Sequence, residues 1–223
     1  MLKSLIYKEW IKTRWILLGI VLVLAGFAAY DFLALAKNAQ LRGYEFLWTF
    51  TVMKDSVLVE NLRFLPAAAG ILLAVCQFVP ETIRKRLKLT LHLPYPQTGI
   101  VSLMQGYGLV CLVLIFSVQA VAIGFFLKKY LVYDLVIRII FSILTWYCAG
   151  LMSYVWTSAA CLEPSWKTRI LEFVIMGVLL SIFFMSQEAM AYKGSLLILF
   201  LVSTVLALML IHYSVRRFKD GVQ

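Results

Sequence analysis

Residues 100–127 read IVSLMQGYGLVCLVLIFSVQAVAIGFFL, a run of 28 residues without one Asp, Glu, Lys, Arg or His. The hydrocarbon core of a bilayer is about 30 Å thick, and about 20 residues of α-helix cross it at 1.5 Å per residue. A run of this length and polarity belongs in lipid, where a helix satisfies every backbone N–H and C=O internally. Moving outward in both directions, further apolar runs occur at residues 15–35, 64–79, 135–161, 170–185 and 195–215, the second and fifth of the six being short.

Composition agrees with this reading. The chain is 63% hydrophobic and 14% charged, with a mean hydropathy of +0.91, outside the range of soluble domains. The expectation is an all-α polytopic membrane protein of about six transmembrane helices, residues 1–223 forming a single transmembrane domain. No repeat, low-complexity tract or Gly/Ser linker divides it. The first run starts only at Trp15 and is too long for a signal-peptide core, so it reads as a retained span.

The formal charge of +10 would suggest nucleic acid in a soluble protein. Here the cations sit in short clusters between apolar runs, as membrane loops require, and no nucleic-acid partner is expected. Thirteen Lys and Arg fall on the side of the N-terminus, at 3, 8, 12, 14, 84, 85, 86, 88, 167, 169, 216, 217 and 219, against seven on the other side. The positive-inside rule then places both termini in the cytoplasm. Cys76, Cys111, Cys148 and Cys161 lie in or beside apolar runs without metal-binding spacing and read as small hydrophobes.

In residues 1–14, Leu2, Leu5, Ile6, Trp10 and Ile11 recur at helical spacing, and Lys3, Lys8, Glu9 and Lys12 take the remaining face. The pattern predicts an N-terminal amphipathic helix in the membrane interface; a charged flank orienting the first span is the alternative. Tyr44, Phe46, Trp48 and Phe50 suit the outer interface or a continuation of a neighbouring span.

Residues 80–99, PETIRKRLKLTLHLPYPQTG, set four cations and a row of leucines between two spans on the cytoplasmic side. The cations suit anionic lipid headgroups. Leu87, Leu89, Leu91 and Leu93 alternate like a strand, although helical spacing would serve Leu87 and Leu91 equally. Either way an apolar surface with a charged rim is offered, as a protein docking site requires.

Lys8-Glu9-Trp10 in a basic N-terminal helix, a span, an outer loop, a second span, then Glu81 followed by basic residues, leucines and a Leu93-Pro94 step resembles the permease subunit of type-2 ATP-binding-cassette exporters. The resemblance implies that the N-terminal helix is a connecting helix. It also implies that Glu81, Arg84, Leu87, Leu89, Leu91 and Leu93 form a coupling region seated on a separate nucleotide-binding ATPase subunit. A second permease copy, a bacterial inner membrane and ATP with Mg on the partner chain are implied as well. The family's Gly after the Glu and basic residue after the Leu-Pro step are missing from 82–86 and 95–98.

No GxxxxGK[ST], HExxH or GxSxG is present, so the chain is read as a transport subunit, not an enzyme, and no cofactor is assigned to it. Two other readings stay open: a non-transporting scaffold or sensor subunit, and a small membrane enzyme acting on lipid. Asp134 and Arg138, one turn apart, are spaced for an intramembrane ion pair. Asp31 and Glu172 lie near span ends and are expected to be solvated. Gln77, Gln105, Gln119, Ser117 and Ser153 are candidates for bonds between helices, and His212 for snorkelling to the interface. Gly70 with Ala74, and Ala149 with Ser153, allow close helix approach, within one chain or between two copies. The Glu163–Ser165 turn reads as an interfacial turn anchored by Trp166, with a minor partner contact as the other possibility.

Overall fold

The computed structural model describes residues 2–53, 59–83, 97–185 and 195–219. Among these are six α-helices: α1 (Leu2–Met53), α2 (Leu65–Ile83), α3 (Gln97–Leu127), α4 (Tyr133–Leu162), α5 (Trp166–Phe183) and α6 (Ser195–Lys219), with a 3-10 turn at Glu60–Leu62. All but α5 contain a segment long and apolar enough to cross a membrane. The chain is an all-α polytopic membrane protein.

Contacts at the two ends establish the up-and-down order. On the side of the N-terminus, Lys12 of α1 reaches Glu81 at the end of α2, Gln77 of α2 meets Met104 near the start of α3, and Gln105 of α3 meets Ser158 late in α4. Arg217 at the end of α6 meets Glu163, just after α4. On the far side, Asn61 donates to Asp31 at 2.5 Å, Phe32 stacks on Phe126 at 4.0 Å, and Arg63 donates to the Phe184 carbonyl. Helix α5 begins at the first of these ends and finishes at the second. Its 18 residues span about 27 Å, close to the hydrocarbon thickness, although its charged first turns keep it from being as apolar as the other five.

Helix α4 is the central pillar, packed against α2, α3, α5 and α6. Its tightest partner is α2, because glycines face each other there. A Cβ on Gly150 would lie 2.7 Å from the Pro66 carbonyl oxygen, and one on Gly70 would lie 2.5 Å from Ser153 Oγ. Ser153 donates to the Ala67 carbonyl at 3.0 Å across the same seam. The small residues seen in the sequence therefore serve packing within the chain. Outside this core, side chains such as Leu22, Val118, Phe125 and Ile198 are exposed, as lipid-facing positions should be.

Several expectations need correction. The N-terminal helix is present but is not set apart from the first span: α1 keeps helical geometry from Leu2 until Gly43, whose φ of 80° an L side chain rarely adopts. The segment Lys3–Leu41 covers 39 residues, about 58 Å of helix, so its ends extend past the hydrocarbon. Its apolar residues face outward as an interfacial helix requires, but part of its polar side meets neighbouring helices instead of water. Glu9 and Thr13 are wholly buried, while Ile6, Trp10 and Ile11 face outward. In a membrane the apolar face turns to lipid and the polar face inward.

Asp31 and Glu172, expected in solvent, are 3% and 5% exposed. His212 is half-buried and its ring meets Ser102 Oγ at 3.5 Å, so it contacts α3 besides lying near the membrane surface. Ser117 bonds within its own helix, to the Val113 carbonyl. Residues 44–53 continue as helix beyond Gly43; the side chains of Tyr44, Phe46, Trp48 and Phe50 lie outside the described residues.

Candidate functional site

The stripe of α1 that packs inward carries Leu17, Ile20, Leu24 and Ala28, and toward the N-terminus the same stripe reads Thr13 and Glu9. On α2, Gln77 and Glu81 stand four residues apart at the end of a buried stripe through Gly70, Leu73 and Ala74. Helix packing thus brings two carboxylates and an amide together out of water. Such groups need partners there.

Two lysines supply them. Glu81 Oε1 accepts from Lys8 Nζ at 3.0 Å and Lys12 Nζ at 3.1 Å, and Lys12 also pairs with Glu9 Oε2 at 3.0 Å. Two anions and two cations balance, with both carboxylates inside and Lys8 on the rim. Such a cluster is costly to break from one side, because each partner removed leaves a buried charge.

Gln77 ties this cluster to the rest of the bundle. Its Nε2 donates to Glu9 Oε2 at 3.0 Å and to the Met104 carbonyl at 2.7 Å, while its Oε1 accepts from Tyr154 at 2.8 Å. One amide joins four helices. A Cβ on Gly108 would come within 2.7 Å of Gln77 Oε1, so only glycine lets α3 approach the pair. Nearby, Thr13 shares a hydrogen bond with Tyr107 at 3.0 Å, and Gln105 donates to Ser158 at 2.7 Å.

A second cluster lies at the same end. Glu163 follows α4 in an extended conformation, and its carboxylate accepts from Thr168 at 2.7 Å, Ser165 at 3.2 Å, Arg217 at 2.9 Å and Ser214. Arg169 donates to the Glu163 carbonyl at 2.6 Å and lies over the exposed Trp166 ring at 5.1 Å. The turn that reads as a simple interfacial anchor also clamps the last turns of α6. Burial raises the Glu163 pKa, but the three hydroxyls and Arg217 outweigh it and hold the carboxyl below its ordinary value. A lowered folded-state pKa stabilises the fold above the ordinary Glu value of about 4.3, and that stability is lost as pH falls through the folded pKa. Thermal melting of the wild-type chain should therefore decline on acidification below about pH 4, and Glu163→Gln should melt lower at neutral pH with a flatter profile in that acid window.

Of the residues singled out in the sequence, Lys8, Glu9 and Glu81 converge at one site. Trp10, next to Glu9, is exposed and takes no part in the cluster. Arg84, Leu87, Leu89, Leu91 and Leu93, with most of the 80–99 segment, lie outside the described residues. Asp134 and Arg138 sit on an exposed face at the start of α4, at the far end of the bundle from both clusters. Thr13, Tyr107, Tyr154, Glu163 and Ser214 were not singled out for this role. For Thr13 the signal was its spacing of four from Glu9.

Among the described residues, no group of three or more His, Cys, Asp and Glu is placed to hold a metal ion. Fold and site together define a six-helix membrane protein whose two buried ion-paired clusters lie at one end. No family model, curated protein or solved structure matches the chain.

Proposed function

We propose that this chain is the membrane-spanning subunit of an ATP-driven exporter, acting as one of two permease copies with two ATPase subunits on separate chains. The observation that carries the reading is the ion-paired contact of Glu81 with Lys8 and Lys12. The resemblance draws on the N-terminal helix and on the segment that opens at Glu81, and these distant parts of the sequence share one polar cluster. On this reading the end with the N-terminus is cytoplasmic, in agreement with the Lys and Arg bias, and the membrane is a bacterial inner membrane.

The mechanism is mechanical. Closure of the ATPase pair, which binds ATP and Mg, pushes on residues 84–96; α2 and α3 flank that segment, and the Glu81 cluster passes the displacement to α1. The chain itself makes and breaks no covalent bond.

The test is a Glu81→Ala chain co-expressed with the ATPase subunit. It should still co-purify, since residues 87–93 are unchanged, yet lose most of the transport-linked stimulation of ATP hydrolysis. Unchanged stimulation would count against the lever. Partner binding without any nucleotide-dependent movement of α2 and α3 would favour a scaffold.

A further inference from the structure

Two hollows open outward between α1 and α3, of about 700 Å³ and about 410 Å³, and they share Val21, Leu114 and Ile115, so they form one groove along the bundle. Its upper floor is made of small side chains, Ala25, Ala28, Ala29 and Ala122. Gln119 lines it too, but its amide donates to the Leu24 carbonyl at 3.3 Å. The groove is therefore almost wholly apolar. The exception is its mouth, where Trp10, Arg14 and Trp15 gather.

Arg14 differs from the neighbouring cations. Lys8 and Lys12 are neutralised by Glu81 and Glu9, whereas the Arg14 guanidinium is exposed, lies 5.6 Å from the Trp15 ring, and has no carboxylate partner among the described residues. We infer that this groove holds one anionic phospholipid, with its phosphate on Arg14 between the two tryptophans and one acyl chain laid along α1 and α3.

Length and charge both favour that occupant. From Arg14 to Ala29 the helix rises about 22 Å, against about 15 Å for half the hydrocarbon core, so a fully extended chain fits without emerging. A second copy docked face to face would set Arg14 against its own counterpart and leave two concave surfaces unfilled. A lipid fills the hollow and neutralises the cation. Arginine suits a phosphate because its planar fork can donate two parallel hydrogen bonds. The inference does not rest on the exporter reading.

The full-length chain, released from nanodiscs of phosphatidylglycerol and phosphatidylcholine in equal amounts, tests it by native mass spectrometry. The wild type should retain one phosphatidylglycerol in preference to phosphatidylcholine by about fivefold, the worth of one cation near an anionic lipid surface. Arg14→Gln should still retain lipid but lose the preference, and Ala29→Phe, which fills the floor, should retain little of either. Melting temperatures of both variants, measured alongside, establish that they are folded. The proposal is overturned if Arg14→Gln keeps the wild-type preference, if a folded Ala29→Phe chain retains lipid as before, or if the released species is a dimer that Ala29→Phe dissociates.

Discussion

A Gln77→Leu chain should melt roughly 4 to 8 °C below the wild type in detergent, corresponding to a loss of about 2 kcal/mol. Leucine fills nearly the same volume, so packing changes little and the effect isolates the amide. A single hydrogen bond between membrane helices contributes about 0.6 kcal/mol on average, because partners are also found in the unfolded state. Gln77 makes three such bonds, to Glu9, Met104 and Tyr154, and one goes to a buried carboxylate. Its removal also leaves the Tyr154 hydroxyl with only a long contact to the Gln105 carbonyl at 3.4 Å. Tyr154→Phe alone should cost less, since it leaves only the Gln77 Oε1 acceptor short of a donor. The double variant should cost less than the sum, which a double-mutant cycle measures directly. Additive losses would mean that the two side chains do not act as a unit.

Gly150→Val should be the most damaging single change in the bundle, by about 3 kcal/mol or more. The atoms that a side chain at 150 would meet are the Pro66 carbonyl carbon and oxygen, at 2.8 and 2.7 Å, together with its Cβ. Backbone cannot turn aside as a flexible side chain can. The α2 and α4 axes would have to separate along the most extensive contact in the molecule. Gly26→Ala provides the opposite sign. Nothing lies within 4 Å of a Cβ there, and replacing glycine in a helix interior gains up to about 1 kcal/mol. Chemical or thermal unfolding of the two variants should therefore move in opposite directions; a gain in both would mean that helix propensity, not the α2 and α4 seam, governs them.

The spans were legible because lipid imposes one requirement, about 20 residues without charge, and residues 100–127 or 139–161 meet it on inspection. Helix α5 is less legible, since Lys167, Arg169 and Glu172 fall in its first two turns; the structure shows that it runs from one end of the bundle to the other. The interhelical roles of Gln77, Gln105, Gln119 and Ser153 were also readable, because a polar side chain in an apolar run has few other places to go.

What the one-dimensional pattern could not give was sidedness. In residues 2–14 the pattern separates an apolar from a polar face, but it does not tell that Glu9 and Thr13 on the polar side meet Gln77 and Tyr107 of neighbouring helices instead of water. Asp31 and Glu172 were misplaced for a related reason. Proximity to a span end says how deep a residue sits, not which way its side chain points, and both side chains are buried. Glu163 was underestimated because its partners, Ser214 and Arg217, lie some fifty residues away on a helix whose contacts no local pattern reveals.

The central claim is that the end of the bundle carrying the Glu9, Lys12 and Glu81 cluster receives work from a separate ATPase. Its most direct test is mild solubilisation of the full chain from its native membrane, followed by measurement of ATP hydrolysis and identification of every chain that co-purifies. The account predicts a nucleotide-binding subunit in equal number with this chain, released when Leu87, Leu89, Leu91 and Leu93 are replaced by serine. A chain that purifies without any such subunit and still performs its activity would contradict it.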